Sequence, residues 1–398
     1  MTKFLFRLFK RAARELRALI ESPAALGLKL AVGLWRYLGP TWVEQRSLGL
    51  VRLDAIGDYV LFRNVLHTVQ VSGFATHRIT VIGNQAWLPF AQVLDGELVD
   101  EWIAIDVTRH SRSPLYRAQL AWRLKARCFE VLVHPTYSPT VWADRLVADL
   151  RAVQKVAAEG NSVNRGAGPG RSRIYDRFVE QSRAVLFEAY RNQEFVEHWL
   201  GLPVRRSLPQ IESTNLESRE DLPMAGFVAF HIDASRPEKE WPLDRYQALA
   251  QWLVKTTTLA VVLLGTARGG EWSEISADRV VDLRAKTSLA STTYTLSRAA
   301  AFVGNDSALL HIALAVGVPG AIGICFGQHY GRFVPYPAGS RSRTEFVFPS
   351  SIEARSDDPE YLRRRYDDGS FEDIRTISTE RVAQALSRVL ALTSESSS

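Results

Sequence analysis

The sequence predicts an α/β protein built from two doubly wound, Rossmann-like parallel-sheet domains that face a cleft. The chain has 398 residues, enough for two domains of ordinary size. Short apolar strands alternate with helical stretches in two separate series. This alternation is typical of parallel sheets that are covered by helices on both faces. A polar, proline-containing segment without periodicity separates the two series and is predicted to be a linker.

The two series set the predicted domain boundaries. The first domain is expected at 47–204, the linker at 205–225 and the second domain at 226–350, followed by a charged tail and a closing helix at 351–398. The strands of the first domain are predicted at 47–53, 78–83, 101–106 and 129–134. Those of the second are predicted at 226–232, 259–265, 279–283, 300–305 and 320–326.

The positive charge of the chain is concentrated at its N-terminus. The net charge is +6, and residues 1–50 hold nine basic against three acidic residues. The other 348 residues therefore carry 40 charges of each sign. A general nucleic-acid binder would be expected to have a basic body, so no nucleic-acid partner is predicted. The two cysteines, Cys128 and Cys325, lie among apolar residues, and we expect buried thiols in a reducing compartment.

An N-terminal arm at 1–46 contains a basic amphipathic helix. In Lys3–Ile20 the leucine, isoleucine and phenylalanine side chains fall mainly on one helical face and the basic side chains on the other. This pattern predicts that residues 1–40 bind an anionic membrane surface, although a helix packed on its own protein has the same pattern. The charges interrupt any apolar stretch, so neither a signal peptide nor a membrane span is predicted.

Polar clusters follow the predicted strands where each strand ends. They lie at 51–58, 231–242, 263–270, 303–311 and 325–332, and four of them are in the second domain. Because the carboxyl ends of parallel strands meet at one edge of a sheet, ligands bind there. Asp306 and Ser307 at a helix start suit a phosphate-bearing ligand, and Lys239 can supply a point charge to it. Helix capping is the alternative explanation for a single cluster.

His311 lies one turn after Ser307 on the same helix face. Spacing alone leaves two hypotheses for its imidazole, donation to a phosphate or a bond back to the protein. The chain has no Asp-x-Asp pair, no Walker lysine loop and no G-x-G-x-x-G after a first strand. These absences disfavour an NTPase or a dinucleotide dehydrogenase, and no metal or other cofactor is predicted.

Three segments resemble glycosyltransferase family 9, the lipopolysaccharide heptosyltransferases and their relatives. LVRLDAIGDYVL (50–61) resembles the N-terminal strand–turn–helix of the family. DASRPEKEWPLDRYQALA (233–250) resembles its Ser-x-x-x-Lys-x-Trp-Pro segment, and FVGNDSALLHIALAVGVP (302–319) resembles its Asp-Ser/Thr-Gly-x-x-His signature. The segments occur in the family's order and spacing, and with the strand–helix alternation the likeness covers roughly 47–336.

The resemblance implies a GT-B fold and an inverting transfer from a nucleotide-diphosphate sugar, usually an ADP-heptose. It implies that Asp58 is the general base, standing in the acceptor-side N-terminal domain opposite the donor set. The nucleotide-sugar site would then be formed by Ser235, Lys239, Gly265, Asn305, Asp306, Ser307 and His311. His329 and Arg332 are candidates for a loop that contacts the donor or the acceptor.

Three departures from the family pattern bear on the sugars. Ala308 stands where the signature has glycine. The segment 134–142 lacks the basic residue expected there, and the loop at 325–337 is more aromatic and basic than usual. These changes leave a nucleotide-sugar donor expected and the identity of the sugars open.

The leading hypothesis is a metal-independent glycosyltransferase of surface-glycan assembly. It would use a lipid-linked or lipopolysaccharide acceptor on the cytoplasmic face of the inner membrane, as a peripheral protein. Two alternatives stay open. A sugar-nucleotide epimerase would share the two-domain cleft but would need a second carboxylate, which the sequence does not place. A non-catalytic nucleotide-sugar-binding protein is disfavoured by the carboxylate at Asp58.

Overall fold

The computed structural model describes residues 27, 43–160, 170–214, 216–266, 270, 272 and 279–395. The predicted basic helix at 3–20, and nearly all of the arm at 1–46, lie outside these residues. Within the described part of the chain, no helix is both long enough and apolar enough to cross a membrane.

The first sheet consists, over the described residues, of six parallel strands. In spatial order they are β3-β2-β1-β4-β5-β6. Their bounds are β1 Glu44–Arg52, β2 Arg78–Asn84, β3 Glu101–Ile105, β4 Cys128–His134, β5 Arg151–Ala158 and β6 Arg177–Val179. The parallel sheet is confirmed, but β5 and β6 were not predicted. The first five residues of β5 are exposed or half-buried and include Arg151, Gln154 and Lys155. The strand therefore lacks the continuous apolar run of a central parallel strand.

The second sheet also has six parallel strands in the described chain, in the order β12-β11-β10-β7-β8-β9. Their bounds are β7 Phe227–His231, β8 Ala260–Leu264, β9 Val280–Asp282, β10 Ala301–Asn305, β11 Gly320–Ile324 and β12 Arg343–Val347. Every residue of β7, β8, β10 and β11 is buried, as expected for strands covered on both faces. β12 was not predicted because it is a charged, half-buried edge strand.

Helices lie between many of the strands along the chain and after the last strand. Their bounds are α1 Ile56–Phe62, α2 Asn64–Gln70, α3 Leu88–Asp95, α4 Val107–Arg112, α5 Pro114–Leu124, α6 Val141–Asp149, α7 Glu188–Leu200, α8 Leu243–Thr256, α9 Leu289–Ser297, α10 Ala308–Val316, α11 Ser350–Glu353, α12 Pro359–Tyr366 and α13 Thr379–Glu395. The closing helix predicted near the C-terminus is α13, and its residues Leu386 and Val389 are buried in the core of the second sheet.

Two compact units can be separated by the packing of the chain. One comprises the described residues up to Asp54 together with 70–88 and 97–180, and it contains the first sheet. The other comprises 55–69, 89–96 and the described residues from Gln181 onward, and it contains the second sheet. The predicted boundary at 204 and the acceptor-side role of the first domain stay predictions. Asp58, however, packs with the unit that carries the proposed donor residues.

Specific contacts hold α1 in the second unit. Arg63 on the C-terminal side of α1 forms an ion pair of 2.7 Å with the buried carboxylate of Asp95, and the hydroxyl of Tyr59 donates to the same carboxylate. The side-chain amide of Asn192 on α7 donates to the carbonyl of Leu61 at 3.1 Å. Buried hydrogen bonds of this kind fix the helix firmly, since breaking one leaves a desolvated polar group.

The predicted linker at 205–225 has no helix or strand among its described residues. Some of its residues are nevertheless buried. Ile211 and Leu216 are buried, and the amide of Ile211 donates to the carbonyl of Ala315 at 2.9 Å. This segment therefore packs on the second unit through Ile211 and Leu216, whereas Met224 is fully exposed.

Candidate functional site

A cavity of about 590 Å³ lies in the second unit, beyond the carboxyl ends of its strands. Its volume is in the usual range for a small-molecule site. Seven of the eight predicted catalytic and binding residues, together with His329 of the predicted loop, are among those that line it. The described lining residues are Ala55, Ile56, Gly57, Asp58, His231, Asp233, Ala234, Ser235, Arg236, Lys239, Gly265, Thr266, Thr287, Leu289, Thr292, Asp306, Ser307, Ala308, Leu309, His311, Gln328, His329 and Phe333.

The cavity lies where the strand order of the second sheet reverses, between β7 and β10. β7 and β10 are neighbours, and the chain continues from β7 to β8 on one side and from β10 to β11 on the other. The two connections leave in opposite directions, so a crevice opens between the strand ends. His231 at the end of β7 and Ser307 after β10 meet there, with Nδ1 and Oγ sharing a hydrogen bond of 3.0 Å.

The first turn of α10 forms one wall. Ser307 is the N-cap residue, but its hydroxyl bonds to His231 and makes no capping bond to the helix. Ser307, Ala308 and Leu309 all line the cavity. Capping therefore does not explain Ser307, and the positive end of the helix dipole is placed at the cavity wall, where it favours an anion.

Lys239 lies at the end of a short 3-10 helix, Pro237–Lys239, on the neighbouring loop. Its Nζ is 3.6 Å from the Oδ2 of Asp306 and 3.4 Å from the carbonyl oxygen of the same residue. The ammonium also lies 5.3 Å from the ring centre of Phe326. The Asp306 side chain is only 6% exposed, so it orients the lysine from inside the wall.

Asp58 combines a structural contact with a place at the cavity. It is the third residue of α1, and its Oδ2 accepts a hydrogen bond of 3.2 Å from the backbone amide of Ala55. The alternative explanation, a helix cap, is thus part of the observed geometry. A carboxylate has two oxygens with several acceptor positions, so the capping bond at Oδ2 is compatible with the place of Asp58 in the cavity lining.

His311 lines the cavity and is otherwise almost fully buried. Its Nδ1 and the hydroxyl of Tyr336 share a hydrogen bond of 2.9 Å, and the two rings stack with centres 5.7 Å apart. Burial lowers the pKa of His311 to about 4, partly opposed by Asp306. The ring is therefore neutral at pH 7, and its Nδ1 is used for a bond back to the protein rather than for a phosphate.

Two predicted site residues do not line the cavity. Asn305 is fully buried, and its side-chain amide links three segments. Its Oδ1 accepts from the amide of Trp241 at 3.1 Å, and its Nδ2 donates to the carbonyl of Ile232 at 2.9 Å. Arg332 is 7% exposed and pairs with Glu188 at 2.7 Å. Both therefore make contacts with protein partners outside the cavity lining, and their predicted contact with a ligand stays a prediction.

Comparison with known proteins gives independent evidence about the family that this chain resembles. Residues 165–346 match the family model described as glycosyltransferase family 9 (heptosyltransferase). A curated relative, lipooligosaccharide heptosyltransferase 2 of Haemophilus influenzae, is 28% identical over 163 residues. That alignment covers 39% of this chain and 44% of the relative, so it spans less than half of the relative's length. The predicted resemblance to glycosyltransferase family 9 is confirmed.

Similar solved structures cover nearly all of the fold. A family 9 glycosyltransferase from Veillonella parvula has a TM-score of 0.65 at 18% identity, covering 88% of this chain and 99% of that one. The E. coli ADP-heptose lipopolysaccharide heptosyltransferase II has a TM-score of 0.61 at 16% identity, covering 87% and 99%. The E. coli heptosyltransferase WaaC with ADP-2-deoxy-2-fluoro heptose has a TM-score of 0.63 at 16% identity, covering 86% and 99%. The GT-B fold class is thereby confirmed.

Several residues that line the cavity are not among the site residues predicted from the family 9 resemblance. Asp233 is 6% exposed, and its Oδ2 accepts from the amide and the hydroxyl of Thr266 at 2.5 and 2.8 Å. The Asp233 carboxylate thus holds the loop that follows β8, and it leaves no space for a side chain at Gly265. A Cβ at Gly265 would lie 2.5 Å from Asp233 Oδ2, and the φ of +121° is also unfavourable for other residues. The sequence signal that could have identified Asp233 and Thr266 is their position as polar residues directly after β7 and β8.

A second close approach occurs at Gly57, within the segment that resembles the family's N-terminal turn. A Cβ at this position would lie 2.8 Å from Cδ2 of the His311 ring and 3.5 Å from the Cα of Ala308. Gly57 thus allows α1 to approach α10 closely enough for Asp58 to reach the same cavity. The family signature has glycine at 308, and here the small residue Ala308 still permits that approach.

Gly57→Ala should lower the free energy of unfolding by about 1–3 kcal/mol, the range for overpacking, because the buried His311 ring that stacks on Tyr336 must shift. The displaced ring should also weaken donor binding. Gly73→Ala is the matched control, since a Cβ at Gly73 meets nothing within 4 Å. Urea unfolding of the three proteins measures the difference. Equal stability of Gly57→Ala and wild type would show that this contact is not tight.

Acid should destabilise the second unit through two buried histidines. Burial lowers the pKa of both His231 and His311 to about 4, from the ordinary value of 6.5. Between these values the unfolded chain binds protons that the folded protein does not, so stability falls as the pH drops from 7 towards 4. At pH 5 the expected cost is about 2 kcal/mol for each histidine.

The test is urea unfolding at pH 8 and pH 5 for wild type, His231→Gln and His311→Gln. Glutamine keeps a hydrogen-bonding side chain but does not titrate in this range. Each variant should therefore lose less stability on acidification than wild type does. Identical pH slopes in all three proteins would show that neither histidine controls acid stability.

Proposed function

We propose that this protein is an inverting, metal-independent glycosyltransferase. It moves a heptose-like sugar from a nucleotide-diphosphate sugar, ADP-linked, to a lipopolysaccharide or related surface-glycan acceptor. The observation that carries the proposal is the single cavity that brings Asp58 together with Lys239 and the first turn of α10. A carboxylate and an anion-binding wall are the two groups that such a transfer needs.

Asp58 is proposed as the general base. The acceptor hydroxyl would give its proton to the carboxylate as its oxygen bonds to the anomeric carbon of the donor. The bond from that carbon to the diphosphate breaks with its electron pair on the leaving oxygen. Attack opposite the leaving group inverts the anomeric centre. A positioned base of this kind contributes about 10²–10⁴-fold to the rate.

The diphosphate leaving group is proposed to lie against Lys239 and the N-terminal turn of α10. Preorganised positive charge at the departing oxygen stabilises the transition state without reorganisation at the moment of reaction. Ser235 lines the cavity on the same loop as Lys239 and could donate its hydroxyl to a phosphate oxygen. Because the lysine and the helix dipole supply the charge, the proposal requires no metal.

The donor class is supported by relatives rather than by a ligand in this protein. One similar solved structure is named as an E. coli heptosyltransferase with ADP, and another holds ADP-2-deoxy-2-fluoro heptose. The lining also includes the uncharged residues Thr287, Leu289 and Thr292. Such residues suit the nucleoside, while the wall with Lys239 suits the diphosphate.

A donor screen tests the proposal. The full-length protein would be incubated with labelled ADP- and GDP-sugars and a membrane extract. Transfer of label to lipid supports the proposed glycosyltransferase. An isomerised free nucleotide sugar would show an epimerase instead, and binding without turnover would show a non-catalytic nucleotide-sugar-binding protein.

We also propose that the protein is peripheral on the cytoplasmic face of the inner membrane, held by the basic residues 1–40. Deleting these residues should release it from anionic vesicles, and high salt should weaken binding of the intact chain, because salt screens charge attraction. Co-sedimentation with vesicles measures both effects. A truncated protein that sediments as well as the full chain would show that the arm does not hold the protein on the membrane, and one that misfolds would show that the arm is structural.

A further inference from the structure

The outer face of α4 and α5 in the first unit is unusual for a helix pair that covers a sheet. We define the α4–α5 face as the exposed residues Arg109, Arg112, Leu115, Gln119, Trp122 and Arg123. The opposite side of α5 packs in the core through Leu120 and Leu124. An outer face of this kind should be polar. Here Leu115 is 51% exposed and Trp122 is 45% exposed.

The charge of this region is of one sign. Residues 107–127 contain six arginines and lysines and no aspartate or glutamate. The nearest carboxylates in sequence are already occupied by other contacts. Asp106 accepts from the amide of Arg109 as the cap of α4 at 2.8 Å, and Glu101 pairs with the guanidinium of Arg127 at 2.6 Å. The α4–α5 face therefore presents its positive charge to solvent.

The face is also held rigidly. Ser113 caps α5 through the amide of Tyr116, and the hydroxyl of Tyr116 accepts from the amide of Asp106 at 3.0 Å. The guanidinium of Arg109 lies 4.9 Å from the centre of the Tyr116 ring. On the inner side, Arg117 donates to the carbonyl of His110 at 2.9 Å. These contacts fix the two helices relative to each other, so docking does not require the helices to become ordered.

We infer that the α4–α5 face is a docking surface for the headgroup region of an anionic lipid bilayer. Leu115, Gln119 and Trp122 recur at helical spacing along one line of α5. Arg123 directly follows Trp122, and the ammonium of Lys125 lies over the Trp122 ring. Trp and Leu enter the boundary between headgroups and acyl chains, and arginines bind lipid phosphates. Positive charge beside two exposed apolar side chains complements the negative headgroups and the acyl boundary of an anionic bilayer, so we assign a bilayer to this face.

This surface is independent of the basic arm and of the proposed reaction. It lies in described residues of the first unit, whereas the donor cavity lies in the second. The arm stays intact in every variant of the test, so any difference reports on the α4–α5 face alone. Unchanged vesicle binding of the variants, with normal donor binding, would overturn this inference and leave the proposed function standing.

The experiment is co-sedimentation of the full-length protein with vesicles of phosphatidylcholine, with and without phosphatidylglycerol. Arg112→Gln/Arg123→Gln should reduce partitioning onto the anionic vesicles by about 30-fold, from about 1 kcal/mol for each arginine near the surface. Leu115→Ser/Trp122→Ser should reduce it by about tenfold or more, with little dependence on salt, because the lost contribution is apolar. Val153→Ser/Arg173→Gln, an exposed apolar residue and an exposed arginine elsewhere in the same unit, is the matched control and should bind like wild type.

Arg112→Lys/Arg123→Lys keeps the charge and should retain most of the binding, and circular dichroism confirms that each variant is folded. Unchanged partitioning of the Gln variant would overturn the inference, as would an equal loss in the control or in the Lys variant. A dimer in solution that Leu115→Ser/Trp122→Ser dissociates would also overturn it, since the face would then bind a second copy of the chain.

Discussion

Asp58→Asn should reduce the rate of sugar transfer by about 10²–10⁴-fold and leave donor affinity close to that of wild type. The amide is isosteric with the carboxylate, and its oxygen can still accept the hydrogen bond from the amide of Ala55 that caps α1. What it cannot do is take a proton from the acceptor. The change therefore separates the catalytic role from the structural one, which Asp58→Ala would confound by also removing the cap.

The matched control for this experiment is Asp244→Asn. Asp244 is also an acidic residue in the first turn of a helix, α8, but it is exposed and lies outside the cavity lining. Initial rates with saturating donor and a membrane extract give the turnover, and calorimetry with the donor gives the affinity. Turnover near the wild-type rate in Asp58→Asn would remove this carboxylate from the mechanism.

The arrangement of the cavity was predictable from the sequence where it depends on local pattern. Apolar strands that end in polar clusters indicate a parallel sheet with its ligand site at the carboxyl edge. That pattern placed Ser235, Lys239, Asp306 and Ser307 correctly beside one cavity. Periodicity also located most strands of the second sheet, since its central strands are buried along their whole length.

Long-range pairing is what the sequence could not reveal. Arg332 looks like a loop arginine, but its partner Glu188 is 144 residues away in the chain. Asn305 has the position of a ligand-binding residue, yet its amide is occupied by Trp241 and Ile232. Both outcomes depend on which segments meet in the folded protein, and residue type alone does not determine that.

The packing of α1 is a further case. Its segment follows a strand of the first sheet, so the sequence assigns it to the first domain. In the structure Ala55–Val69 packs with the second unit, because the buried pair of Arg63 and Asp95 and the close approach at Gly57 hold it there. Asp58 therefore reaches the donor residues within one unit, and the proposed mechanism does not depend on a domain movement to bring them together.

Lys239→Ala should weaken binding of the intact nucleotide-diphosphate sugar by about 2 kcal/mol, or about 30-fold, which is the range for a charge-assisted hydrogen bond. The free nucleoside, which has no phosphate, should bind almost as in wild type. Asp306 adds to the loss, because its buried carboxylate is 3.6 Å from Nζ and would face the diphosphate without its cation. Lys239→Ala/Asp306→Asn should therefore recover part of the affinity that Lys239→Ala loses, since it removes the repelling charge.

Calorimetry with both ligands on wild type and the two variants tests this. Lys286→Ala is the matched control, because its ammonium donates to the carbonyl of Asp282 at 2.7 Å and it directly precedes the lining residue Thr287. A contribution from general positive charge near the cavity would appear in both lysine variants, whereas direct contact with the diphosphate would appear only in Lys239→Ala. An equal loss for donor and nucleoside in Lys239→Ala, or no loss for either, would show that this wall does not hold the diphosphate.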